Sequence, residues 1–261
     1  MLVSGIDYQY NPLMRKLTDE QKAIYEWQIP IADFGLAGQE KLNNATALIS
    51  RCGGLGGPVA LNLAAAGIGK LIIAHAGDVK PSDLNRQILT TCDWIGKPRI
   101  ESIIRRLKAF NPQMEIQGVS ENITEQNVAD LVGRADIVFD CAPLFEERYL
   151  MNQQCVCQNK PMIEAAIYEM QGQIMTIVPG KSACLKCLYP DTPSQWIRRF
   201  PVLGAVSALA GAVAALEGIK LIAGFGETLT GALLYFDTRS MQFKRFALEK
   251  KVDCSVCGAN K

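Results

Sequence analysis

The 261-residue sequence has almost no imbalance of charge: 27 Lys and Arg stand against 26 Asp and Glu, a formal net charge of +1. No uniform positive field is left to hold a phosphate backbone or an acidic lipid surface, so neither nucleic acid nor membrane is an expected partner. The chain also lacks an apolar run of bilayer length, because the longest, Val202 to Leu216, falls short of the roughly 20 residues a spanning helix requires. The first 16 residues contain Asp7 and have no apolar core followed by small residues, so no secretory leader is expected and the protein is assigned to the cytoplasm. Internal repeats and low-complexity linkers are missing too. With 49% hydrophobic and 20% charged residues, disorder and coiled coil are excluded, leaving one large globular domain or two small ones.

Punctuation and periodicity give the architecture. Thr18 with Gln21 forms a capping-box pair opening a helix through about Trp27, which Pro30 ends, and a second helix covers Ala37 to Asn44. Ala47–Ser50 is a short apolar strand, followed by the glycine turn Gly53-Gly54-Leu55-Gly56-Gly57 and the helical run Pro58–Ala66. Leu71–Ala74 is the next strand, and the intervening length leaves room only for a crossover helix, giving a right-handed parallel βαβ unit. A helix over Pro98–Phe110, a strand near Met114–Val119, a short helix capped by Thr124, and strands at Ile137–Asp140 and Met162–Ala166 continue the alternation. Beyond Tyr168, antiparallel strands are expected at Gln173–Val178, Ala232–Phe236 and Met241–Phe246, with a long Ala-rich helix over about Gly204–Ala223 between the first two. The fold expected is α/β, a doubly wound Rossmann-like mixed sheet with N-terminal helices and C-terminal antiparallel strands, in one domain over 1–261. Its divisions are a helical arm over about 1–45, a core over about 46–167, and a crossover, long helix and tail over about 168–261.

Nine cysteines in a chain assigned to a reducing compartment suggest metal or reactive thiols rather than disulfides. Cys184-Leu-Lys-Cys187 and Cys254-Ser-Val-Cys257 are two CxxC knuckles whose four thiolates suit a tetrahedral structural Zn2+ site, with no open position for catalysis. Such a four-cysteine zinc clamp would fasten the C-terminal tail to the body. Two thioredoxin-like redox pairs are the weaker alternative, because neither knuckle is expected at a helix start following a strand. Cys155 and Cys157, on an expected helix, would face different directions and read as structural thiols.

The glycine turn allows backbone amides to approach phosphates at the start of the following helix, although tight strand–helix packing uses the same spelling. Where a dinucleotide fold has an acid ending its second strand, this chain has His75, Ala76 and Gly77 before Asp78, which weakens a dehydrogenase reading. Ser82-Asp83-Leu-Asn-Arg86-Gln87 and Gly96-Lys97-Pro-Arg99 place cations near the same sheet edge, where guanidinium forks suit a triphosphate and a solvated loop is the bland alternative. His75, the only histidine, is expected as a packing residue at a strand end.

Taken in order, GGLGG after a strand, LNRQ, GKPR, Asp140-Cys141 ending a strand and the two CxxC knuckles resemble the MoeB/ThiF/HesA superfamily of adenylating proteins, which includes the ubiquitin-activating enzymes. The likeness runs from about Gln21 to Cys257. The spellings RCGGLGG, AHAGDVKPSDLNRQ and DCAPLFEER look closest to the HesA branch, whose genes accompany nitrogen-fixation genes. The resemblance implies use of ATP and Mg2+ to adenylate the C-terminal carboxylate of a small ubiquitin-like or sulfur-carrier protein, in a homodimer. It implies nucleotide contacts at Gly53, Gly54, Leu55, Gly56, Asp83, Arg86, Gln87 and Arg99, and catalytic roles for Arg86, Arg99 and Asp140.

The departures define a second reading. Arg51 replaces the first glycine of the turn, His75 the acid that holds the ribose, Asp83 an asparagine, Arg99 a phosphate-contacting lysine, Pro143 the magnesium-binding aspartate, and Trp27 an arginine lent by the partner subunit. The segment Leu188 to Val202 has no cysteine, against a thioester or persulfide relay there. Its Trp196, Arg198 and Arg199 read either as carboxylate-tail recognition or as a solvated loop. The alternative expectation is therefore a catalytically degenerate assembly factor acting with nitrogenase cofactor assembly proteins in molybdenum or sulfur supply.

Overall fold

The computed structural model describes residues 14–194 and 196–258, so nearly all of the N-terminal stretch read above for a leader lies outside the described residues. Eight strands form one sheet: β1 (Thr46–Ser50), β2 (Lys70–Ala74), β3 (Glu115–Val119), β4 (Ile137–Asp140), β5 (Met162–Tyr168), β6 (Gln171–Ile177), β7 (Ala232–Asp237) and β8 (Gln242–Ala247). Their spatial order is β3-β2-β1-β4-β5-β6-β7-β8. Pairing is parallel from β3 through β5 and antiparallel from β5 through β8. The expected doubly wound mixed sheet is therefore what the chain adopts.

Alternate strand residues feed two cores, as the two-residue period of a strand requires. Ile49, Ile73 and Phe139 join the larger core beneath α2 (Gly35–Asn44), α3 (Gly56–Ala66), α4 (Arg99–Phe110) and α8 (Gly204–Ala223). Leu48, Ile72 and Val138 enter the smaller one beneath α5 (Val128–Gly133), α6 (Phe145–Cys157) and the cysteine knuckles. Coverage on both faces explains why β1, β2 and β4 read as continuous apolar runs rather than as alternating ones.

The capping box forms as expected, Thr18 accepting from the Gln21 amide at 3.2 Å and the Gln21 side chain accepting from the Thr18 amide at 3.0 Å, at the head of α1 (Asp19–Ile24). One boundary moves: α5 starts at Val128 with Asn127, not Thr124, at its N-cap. The Asn127 side chain accepts from the Thr124 amide at 2.9 Å and so closes a turn ahead of the helix. At 20 residues and mean hydropathy 1.7, α8 is long and apolar enough to cross a bilayer by length and composition. Here it packs on α3 and against β5 and β6 as the central helix of the larger core.

Candidate functional site

The strand order reverses between β1 and β4, and a crevice forms beyond the carboxyl ends of strands at such a switch point. In this chain the crevice is a cavity of about 1190 Å³, reached by residues ending β1 (Arg51), β2 (His75) and β4 (Cys141). Ser50 ties the two central strands together at that edge: its hydroxyl donates to the Phe139 carbonyl at 3.3 Å and accepts from the Cys141 amide at 3.0 Å.

Most of the sequence-predicted residues converge here, Gly56 and Asp140 lying off the wall. Gly53, Gly54 and Leu55 line the cavity, and α3 leaves it at Gly56 with no side chain capping its first turn, so its positive end faces the opening. Gly54 is needed for a close approach: a Cβ there would lie 2.9 Å from Arg86 Cγ, and without it the Arg86 stem lies across the turn. Arg86 donates to the Ser82 carbonyl at 2.7 Å and the Asn85 side chain at 2.9 Å while remaining on the wall. Asp83, Gln87 and Arg99 form a buried net. The Gln87 amide donates to Asp83 at 2.8 Å, and Arg99 meets Asp83 at 3.3 Å, the Gln87 oxygen at 3.4 Å and the Gly77 carbonyl at 3.3 Å.

Arg99 also fixes the state of His75. Guanidinium only donates, so the His75 Nε2 that lies 3.5 Å from Arg99 Nη1 is the acceptor nitrogen and the ring proton resides on Nδ1. Burial first, then the Arg99 and Arg51 charges, push the His75 pKa down to about 3, against a weak opposing pull from the Cys52 backbone. The imidazole is therefore neutral, and its buried Nδ1 has no hydrogen-bond partner. His75 is buried at the strand end, as expected, and also borders the cavity.

Arg51 occupies the glycine position with φ +57°, the left-handed conformation that glycine adopts most easily. Its guanidinium is turned onto Glu147 of α6, with Nε 2.9 Å and 3.2 Å from the two carboxylate oxygens and Nη2 completing the fork. The side chain thus edges the cavity without plugging it.

Asp140 departs from its expected place. It is fully buried and absent from the wall, sharing Arg148 with Glu164 at 3.5 Å and 2.7 Å respectively. Burial, opposed by Arg148, pushes Asp140 up to about 6 and Glu164 up to about 7. Asp83 and Glu164 are the carboxylates on the wall among the described residues, and arginine holds both. These residues do not fit a protein-held magnesium ion, which needs carboxylate oxygens free of competing cations. Arg86, Arg99, Arg148, Arg198, Arg199 and Lys80 make the lining cationic instead. Trp196, Arg198 and Arg199 border this cavity, together with Phe145, Tyr189 and Phe200, and both arginines are also exposed to solvent.

The four knuckle cysteines come together, their sulfurs all within 4.8 Å of one another, with Cys184–Cys254 at 3.6 Å and Cys187–Cys257 at 3.4 Å. Tetrahedral zinc with Zn–S bonds of about 2.3 Å spaces its sulfurs by about 3.8 Å, so the set fits such an ion. A second feature agrees: the buried Asn152 amide accepts from the Leu185 backbone at 2.9 Å while its Nδ2 lacks an acceptor beside Cys184, as a donor awaiting a thiolate would. Cys184 is in fact the N-cap of a short helix, α7 (Leu185–Leu188), contrary to expectation. The redox alternative is weakened on different ground, namely that both knuckles share one cluster. Cys155 is buried and Cys157 exposed, as their spacing requires.

The ThiF family model matches residues 25–256. The chain belongs to the ThiF family. Among ThiF-type relatives, it is 44% identical to a protein named HesA, heterocyst, of Trichormus variabilis, over 94% of this chain and 92% of the relative. The sulfur carrier protein ThiS adenylyltransferase of Escherichia coli is 38% identical, over 94% of this chain and 98% of the relative. A crystal structure of Escherichia coli MccB with ATP superposes with a TM-score of 0.77 at 28% identity, covering 85% of this chain and 68% of that one. HesA-type and ThiF-type adenylyltransferase-like proteins are thus its kin, as the ordered motifs implied.

Sequence reasoning missed the Arg51–Glu147 fork and the Asp140–Arg148–Glu164 cluster. Glu147 and Arg148 lie within the DCAPLFEER run, but which of its charges turn inward depends on how α6 docks against β4.

Proposed function

We propose that this chain is an ATP-dependent adenylyltransferase acting on the C-terminal carboxylate of a small ubiquitin-like or sulfur-carrier protein. The carrying observation is one cationic cavity that runs from an uncapped glycine turn at the switch point to the aromatic and arginine-bearing segment after Leu188. It offers a nucleotide end and a tail end in a single space. A carboxylate oxygen of the partner's tail attacks the α-phosphorus, the bond from that phosphorus to the β-phosphate oxygen breaks, and pyrophosphate leaves with the electron pair. The protein contributes position and electrostatics. Arg86 and the α3 terminus hold the phosphates, Arg99 orders Asp83, Gln87 and His75 behind them, and Arg198 and Arg199 draw the acidic terminus inward. Magnesium would arrive on the nucleotide's own phosphates and water, consistent with its habits at ATP sites.

In this reading Zn2+ is structural, held by Cys184, Cys187, Cys254 and Cys257, and the protein is a cytoplasmic homodimer of a single adenylation domain. The exposed Ala212 and Leu216 of α8, flanked by the half-buried Leu209 and Val213, and the exposed Trp27 offer apolar surface for a second copy.

Calorimetry with ATP and magnesium tests the site: Arg86→Ala should bind about 10- to 100-fold more weakly, the range for losing a charge-assisted hydrogen bond. ATP–pyrophosphate exchange with a Gly-Gly-ending partner tests the chemistry. Absence of both binding and exchange in the wild type refutes the proposal.

A second reading, a non-adenylating factor serving nitrogenase cofactor assembly, is favoured by one observation: Asp140 is buried beneath the wall and Pro143 offers no ligand in its stead. ATP binding without exchange, with co-purification of nitrogenase assembly proteins, supports it; normal nitrogenase activity in a deletion strain opposes it.

A further inference from the structure

A buried polar atom without a protein partner calls for an explanation, such as an ordered water, an ion or a ligand. Among the described residues three side-chain atoms are in this condition: His75 Nδ1, Asn152 Nδ2 and Ser207 Oγ. The first sits at the edge of the second strand on the cavity wall and the second beside Cys184. Ser207 belongs to no motif. It is 0% exposed, lines the same cavity, and is the fourth residue of α8, a 20-residue helix whose first turn has no side-chain cap.

Packing of α8 shows which face Ser207 occupies. Gly204, Ser207 and Gly211 share a helix face by their spacing of three and four. Gly204 abuts the Asn85–Arg86 backbone, where a Cβ would come within 2.3 Å of the Asn85 oxygen. Gly211 abuts the start of α3, where a Cβ would lie 2.7 Å from the Leu55 oxygen. Ser207 is held between these two contacts, on the wall that Gly54, Leu55 and Arg86 also form. Two uncapped helix N-termini, α3 and α8, thus converge beside one arginine, and each carries a positive end.

We propose that Ser207 is a phosphate ligand of this cavity, its hydroxyl donating to a phosphate oxygen of the bound nucleotide at the meeting of the α3 and α8 N-termini. The inference rests on the nucleotide-binding reading and adds to it a residue from the second helix. No protein group accepts from the hydroxyl; phosphate supplies an acceptor, and the field of α8 strengthens the bond.

The test combines binding and stability on Ser207→Ala. Calorimetry is run with ATP, AMP, pyrophosphate and adenosine, and thermal melts are recorded on the same metal-loaded preparations. The variant should bind ATP about tenfold or more weakly, bind adenosine unchanged, and melt at the wild-type temperature or higher without ligand, since alanine leaves no stranded hydroxyl. Support also comes from a loss shared by AMP, which places the hydroxyl at the α-phosphate, or by pyrophosphate, which places it further along. Unchanged ATP affinity overturns the proposal. So does an equal loss for ATP and adenosine, or a lowered melting temperature without ligand, either of which assigns Ser207 to packing. Wild-type protein that binds no ATP overturns both this inference and the reading beneath it, and is distinguished by the silence of the wild type itself.

Discussion

The Arg51–Glu147 fork is the feature by which this chain tolerates a bulky cation in a glycine turn, and a double-mutant cycle measures it. Both side chains are mostly buried, 15% and 6% exposed, so removing one partner strands a desolvated charge. Glu147→Ala should cost about 3 kcal/mol, the lower end for breaking a buried pair, because Arg51 keeps some access to solvent. In a chain of this size that lowers the melting temperature by about 6–12 °C. Arg51→Gly strands Glu147 but relieves the left-handed backbone, worth about 1 kcal/mol, for a net loss of about 2 kcal/mol. With both charges gone and the strain relieved, the double variant should fall within about 1 kcal/mol of the wild type. The two single losses together exceed that of the double variant by at least about 4 kcal/mol, which is the coupling, read from melts on metal-loaded protein at fixed ionic strength. Additivity within about 0.5 kcal/mol would refute the reasoning and show that the fork is not formed in solution.

Removing the metal, by a strong chelator or by Cys257→Ser, should release the tail around residues 251–258 from α7, seen as faster proteolysis there and a lower melting temperature; elemental analysis should give one zinc per chain in the untreated protein. His75 should make stability pH-dependent with a definite sign. Its folded pKa of about 3 lies below the unfolded 6.5, so the unfolded state binds more protons between those values and stability falls as pH drops through that window. Asp140 and Glu164, with folded values raised to about 6 and 7, act in the opposite direction, gaining stability as pH falls. The difference between wild type and His75→Gln isolates the histidine. It should shift against the wild type by up to about 1.4 kcal/mol per pH unit from pH 6.5 downward, and a difference independent of pH would contradict a buried neutral imidazole.

The fold was legible because its signals are local. Apolar runs of four or five residues, a glycine turn between the first strand and the first core helix, and a long Ala-rich segment each fix one element without reference to the rest. The cysteine cluster was legible for a similar reason: each CxxC forms half of a site in a single turn, and only the pairing of the halves is remote. The site's cations were legible as spelling, LNRQ and GKPR, but not as geometry. Nothing local shows that Arg99 turns back onto Asp83 and Gln87, or that both arginines reach one cavity wall.

What the sequence determined on its own is the order of elements, the position of the glycine turn and the identity of the four clustered cysteines, since each depends on backbone preference and short-range spacing. Tertiary structure decided which charges face one another. Glu147 neutralises Arg51, Arg148 draws Asp140 off the wall, and the start of α8 brings an unpaired hydroxyl to the glycine turn from more than 150 residues away. Those contacts depend on how helices dock across a shared sheet, and docking is settled by the summed burial of two whole cores rather than by any segment that makes the contact.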